Sequence, residues 1–306
     1  MSGAKVMKQI RDLDRRIIYL IILLSVVIPL VTGLRLPTTV TPEVQRIFDK
    51  VESLVGTGKA VLISIDYDPS TQPELQPMTT ALTRHCVLRG VPVIGITNVL
   101  TGMGLGIDAM TTVAAEYNAT NGEDWSFLGF QTPPVVVMLG IGEDIKSVYP
   151  SDYYGTPSSE IPMLQRITNY DDIGLLVSIA GNTMPKAWVT YAGTRYNVPV
   201  ATGVTAVSAT DFYPYLQTGQ FLGMMGGIKG AAEYEKLLDE LDRKLGTYEP
   251  RMEGFDAATR LKYENDRYRA RRAMNPQSVA HIVIIAFILL GNITYFLFDR
   301  KEKKRG

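Results

Sequence analysis

The sequence predicts a doubly wound α/β domain held between two membrane-spanning helices. Three observations lead there. Two apolar runs, Ile17–Leu34 and Val279–Phe298, contain no Lys, Arg, Asp or Glu, and each approaches the ~20 residues that cross a bilayer core as a helix. Between them lie short Val- and Ile-rich runs without polar alternation, as in strands buried on both faces of a parallel sheet. Helix-like stretches separate these runs, whose starts lie 25 to 43 residues apart, the size of a strand–helix–strand crossover.

Membrane topology comes first in chain order. No small-x-small cleavage site follows Leu34, where the chain reads RLPTTV, so the first run is expected to persist as an anchor. Lys5, Lys8, Arg11, Arg15 and Arg16 precede the first run. Arg300, Lys301, Lys303, Lys304 and Arg305 follow the second. These basic tails (1–16 and 299–306) place both termini in the cytoplasm and the central segment outside, in a plasma (inner) membrane. Arg260, Lys262, Arg267, Arg269, Arg271 and Arg272 oppose that orientation. The first span dominates, however, and long segments translocate largely regardless of charge. The 31 basic and 31 acidic residues balance, which points to no nucleic-acid partner; the bilayer is the partner expected. Cys86 is the only cysteine, so the domain has no internal disulfide. Asn118-Ala-Thr120 fits a glycosylation acceptor, relevant only in a eukaryotic secretory lumen.

Residues 35–58 then predict an amphipathic linker helix. Thr41 is its N-cap, Pro42 its first position and Glu43 complements its dipole, while Val44, Ile47, Phe48, Val51, Leu54 and Val55 share a face. The α/β domain, 59–246, has five expected strands: 60–66, 91–98, 134–140, 173–181 and 198–207. Expected helices occupy 73–89, 105–117, 159–169 and 183–196. The result is a mainly parallel, flavodoxin- or Rossmann-like sheet with helices on both faces. WSFLGF (125–130) is either a sixth, edge strand or loop. Residues 211–245 read as a long final helical region and 247–278 as a charged stalk, with Asn275-Pro276 breaking the helix before the second span.

The stretch ITNVLTGMGLGIDAM raises the question of a phosphate site. Gly104 to Ala109 satisfy G-x-G-x-x-G/A, and glycines at a helix start let a backbone approach a pyrophosphate. Gly104 nevertheless stands six residues past its strand, no acidic residue closes the next strand, and Asp108 in an expected first turn would repel phosphate. A backbone turn, or a site for some other small ligand, formed by Gly102, Gly104 and Gly106 is the better reading. GTGKA (56–60) lacks the Ser or Thr after lysine and precedes its strand, so it is not a phosphate loop.

Topology supplies a second candidate. In doubly wound sheets ligands bind beyond the carboxyl ends of the strands. Those ends carry Asp66 and Asp68, Asn98, Glu143 and Asp144, Asn182, and Ser208 and Asp211. This acid-rich rim would suit a small ligand or a divalent metal, although the same residue types serve as caps and turns. No G-x-S-x-G occurs, and the one S-x-x-K is Ser2 to Lys5. His85 and Cys86 are neighbours whose side chains diverge on a helix, and His281 lies within the second apolar run. Neither catalysis nor an obligatory cofactor is expected.

Gly219, Gly223 and Gly227 recur every fourth residue, as do Gly226 and Gly230. On one helix they would form a smooth face for close approach, either of the protein's own sheet or of another subunit, with Phe221, Met224 and Met225 exposed beside it. The reading that follows is a membrane-anchored, non-catalytic scaffold or interaction subunit, homo-oligomeric or joined to other membrane subunits. The alternative is a tethered sensor or enzyme binding a small ligand or metal in a crevice formed by Asp66, Asp68, Asn98, the turn with Gly102, Gly104 and Gly106, and Asn182.

Overall fold

The computed structural model describes residues 14–32 and 38–296. The basic residues before Asp14, the 33–37 junction and everything after Phe296 lie outside the described residues, and with them most of the charges that set the expected orientation. The chain divides into two compact units: residues 1–37 with 272–306, and Thr38–Arg271.

The first unit holds two apolar helices, α1 (Arg15–Thr32) and most of α12 (Arg269–Thr294), both long and apolar enough to cross a membrane. Only 11% and 6% of their apolar windows are buried. The expected break at Asn275-Pro276 does not occur: Pro276 lies inside α12.

The second unit is an α/β domain on a six-stranded, all-parallel sheet. Its strands are β1 (Ala60–Asp66), β2 (Val93–Thr97), β3 (Trp125–Phe130), β4 (Ile173–Ala180), β5 (Val200–Val204) and β6 (Met224–Gly226). They lie in the order β3-β2-β1-β4-β5-β6, the doubly wound arrangement that reverses between β1 and β4. Successive residues of each strand serve two cores. Leu62, Ile94, Leu176 and Val200 face one core with α5 (Pro134–Glu143) and Trp188 of α7 (Met184–Trp188). Gly95 faces the other, against Met110 of α4 (Gly102–Tyr117). That second side also carries α2 (Pro42–Glu52), α3 (Gln72–Arg89) and α9 (Gly227–Leu245).

Three expectations are corrected. Residues 134–140 are helical, not a strand; Pro133 and Pro134 open the helix, and an apolar run this short has no decisive period. The edge strand is 125–130 instead, paired with β2. Residues 159–169 form only a 3₁₀ turn, Pro162–Gln165, which sinks Met163 and Leu164 into the core. Finally, 211–245 is not one helix. It contains α8 (Tyr213–Gln217), a turn with Gly219 at φ +74°, strand β6, and only then α9. Helical glycines cost about 1 kcal/mol each, whereas an edge position gives this stretch backbone partners, as in Thr202 N–H to the Gly223 carbonyl.

The intended subunit contact dissolves with that helix. Phe221, Met224 and Met225 are buried. Gly223 abuts the Glu43 carbonyl and Ile47 of α2, Gly227 meets Ala206, and Gly230 lies on the Met225 backbone. These close approaches are internal.

The charged 248–271 segment also packs on the domain. It forms α10 (Tyr248–Glu253), α11 (Ala257–Arg267) and the first turn of α12. Arg251 and Arg267 both reach Asp242 of α9, Arg84 of α3 pairs with Glu116 and Asp266, and Arg271 pairs with Asp239. The Glu235 carboxylate accepts the Ala270 and Arg271 amides at 2.8 and 2.9 Å, capping α12.

Candidate functional site

Asp66 ends β1 beside the point where the sheet order reverses, where this architecture opens a crevice. Strand alternation turns Ser64 and Asp66 to the α5–α7 side, and both are fully buried. The Asn98 amide donates to Asp66 Oδ1 at 2.7 Å, and the Ser64 hydroxyl donates to Oδ2. Asn98 Nδ2 donates to Ser64 Oγ at 3.3 Å, and Trp188 Nε1 donates to the same oxygen at 3.0 Å. Burial raises the Asp66 pKa; the hydrogen bonds from Ser64, Asn98 and Trp188 only partly offset it.

The loops beside Asp66 are tied to one another. Asn182 Nδ2 donates to the Asp66 carbonyl at 3.1 Å and its Oδ1 accepts the Met184 amide, so one side chain links the loops after β1 and β4. Gly181 sits against Thr71, where a Cβ would come within 2.9 Å of Oγ1. Asp68 is exposed and binds the Ser70 hydroxyl and the amides of Ser70 and Thr71, which lower its pKa and make it a turn residue.

The glycine stretch resolves into packing. Helix α4 starts at Gly102 rather than 105, so Asp108 falls in its second turn, near Gln76 Nε2 at 3.4 Å. The Gly102 and Met103 amides already bind the carbonyls of Val99 and Leu100. A Cβ on Gly102 would stand 2.5 Å from the Ile65 carbonyl, and one on Gly106 would stand 2.8 Å from the Phe127 ring. Gly104 faces open space. This is a close helix–sheet contact with little free amide left for a phosphate.

The rest of the expected rim does not converge. Glu143 ends α5, Asp144 caps the short helix α6 (Ile145–Val148) by accepting the Lys146 and Ser147 amides, and Ser208 bonds Thr205. Asp211 sits in an exposed 3₁₀ turn. Among the described residues no group of three or more His, Cys, Asp or Glu could hold a metal ion.

The structure adds Ser64, Ser178, Tyr149 and Trp188 to Asp66 and Asn98. Ser178 is the cross-strand partner of Ser64. Buried Ser178 Oγ, Tyr149 Oη and Asn98 Oδ1 have no hydrogen-bond partner. A serine within an otherwise apolar strand was the one legible signal for Ser64 and Ser178; nothing local marks Tyr149 or Trp188.

The fold and this edge define a doubly wound α/β domain whose loops after β1 and β4 are tied together by Asn182 at the carboxyl edge of the sheet. No protein-family model, no curated protein and no solved structure matches the chain.

Proposed function

We propose that the protein is a membrane-anchored, non-catalytic interaction subunit that assembles with further copies of itself. The observation that carries this reading lies at the carboxyl edge of the sheet, where Asn182 ties the loops after β1 and β4 together and the Asp66 carboxylate is fully buried instead of facing solvent. Two further features support it. The apolar helices leave most of their surface uncovered, as lipid-facing helices do. Leu100, Val136 and Val207, in segments that follow β2, β3 and β5, are 63%, 63% and 87% exposed, which suits a partner surface better than a small-molecule site. The anchors hold copies in one plane, with both termini cytoplasmic and the α/β domain outside.

The test is mass in mild detergent. The chain is expected as an oligomer, and the double variant Leu100→Ser, Val207→Ser is expected to dissociate it. A monomeric wild type overturns the reading. Protease treatment of intact cells checks orientation: the α/β domain should be cleaved and the tails protected.

A further inference from the structure

The cluster around Asp66 holds no positive charge. Asp66 is fully buried, and every group that bonds it (Ser64, Asn98 and Trp188) is neutral. Asn98 commits its Nδ2 to Ser64 and Asp66, at 3.3 and 3.5 Å, which turns its Oδ1 to the side without a partner. Ser178 stands level with Ser64 across β1 and β4, on the same face, and its hydroxyl has no partner. The Tyr149 hydroxyl is likewise buried and unpartnered, and Tyr149 lies within electrostatic reach of Asp66. One carboxylate and three neutral oxygens thus lie on the same side of the sheet, where Trp188 bonds Ser64.

We propose that this cluster binds a monovalent cation, Na⁺, K⁺ or ammonium, with Asp66 as counter-charge and Asn98 Oδ1, Ser178 Oγ and Tyr149 Oη as neutral ligands. Three arguments select that chemistry. The unmet atoms are all oxygens, the donor type hard cations take. A lone carboxylate in a low-dielectric core is balanced by a single positive charge, and a neutral ligand would leave that charge uncompensated. A divalent or transition metal would call for more charged ligands, and no such group exists among the described residues. The inference stands apart from the assembly reading, because it concerns the interior of one protomer.

The experiment is thermal unfolding of the full chain in detergent, at fixed pH and ionic strength, in choline chloride against NaCl, KCl or NH₄Cl. A cation that binds only the folded state raises the midpoint, here by roughly 3 °C or more at saturation. Asp66→Asn should abolish the rise. Ser178→Ala, which removes only an unpartnered hydroxyl, should keep the fold and shift the half-saturating concentration up about tenfold. Equal midpoints in all four salts overturn the proposal, since the carboxyl then holds a proton or only water. A rise that survives in Asp66→Asn, or an unchanged half-saturation in Ser178→Ala, also overturns it by placing the ion elsewhere.

Discussion

Gly102, Gly104 and Gly106 look alike in the sequence and differ in the fold. Gly102→Ala and Gly106→Ala drive a methyl into the Ile65 carbonyl and the Phe127 ring, and each should cost about 1–3 kcal/mol. Gly104→Ala meets nothing within 4 Å in a helix, and it should stabilise by up to about 1 kcal/mol. Denaturant unfolding of the three variants checks this, and equal losses at all three would restore a ligand-binding account. Glu235 gives a second prediction at this scale. Burial pushes its pKa up to about 8, against the Ala270 and Arg271 amides and the charge of Arg84. The folded chain therefore holds a proton that the unfolded chain has lost. The resulting stability is complete below the ordinary carboxylate range and disappears as pH rises through about 8. Unfolding midpoints should fall between about pH 5 and pH 8.5, by at most about 1.4 kcal/mol per pH unit from this group. Glu235→Gln should flatten that part of the slope, and an unaltered slope would refute the assignment. Asp66 and Asn98 were legible because a strand's end can be read from its apolar run. Ser64 and Ser178 left only the faint signal of a serine in an apolar run, and Tyr149 and Trp188 left none, because cross-strand register and long-range packing bring these four to one side of the sheet.

At the scale of elements, the ion network around Asp242 decides what the 248–271 segment is. Burial opposes the charge on Asp242, but bonds from Arg251 and Thr247 and the charge of Arg267 outweigh it and lower its pKa. Asp242→Ala would leave Arg251 and Arg267 without their shared carboxylate, 11% and 3% exposed, at a cost of roughly 3–5 kcal/mol. The expected readout is faster tryptic cleavage at Arg251, Arg260 and Lys262; unchanged cleavage would mean that the network does not hold the segment. Charge density had suggested a solvated stalk, since composition cannot reveal that α9 offers Asp239, Asp242 and Glu235 on one buried side. The same limit explains the 134–140 helix. Periodicity fails in short apolar runs, and the edge of β2 was claimed by 125–130 instead. Gly223, expected on an interface, now predicts a folding defect: Gly223→Leu should destabilise the monomer itself, because α2 packs directly upon it.

For the whole molecule, α1 and α12 make the decisive prediction. Full-length protein should remain in the membrane fraction after alkaline carbonate extraction, and replacing Ile22, Leu23 and Leu24 with Asp should release the first anchor. Extraction of the wild type into the soluble fraction would remove the membrane reading. The sequence by itself determined the properties that are local and additive: two long apolar runs without charge, the start of the linker helix at Pro42, and the strand–helix alternation of a parallel sheet. Each follows from composition and period within one segment. Only the tertiary structure decided which segment takes the sheet edge, that Gly102 and Gly106 serve close packing, and that the Asp66 carboxylate is buried on the same side of the sheet as unpartnered oxygens. Those outcomes depend on contacts between residues far apart in the chain, as between Asp66 and Asn182 or Ser64 and Trp188, and no local pattern encodes them.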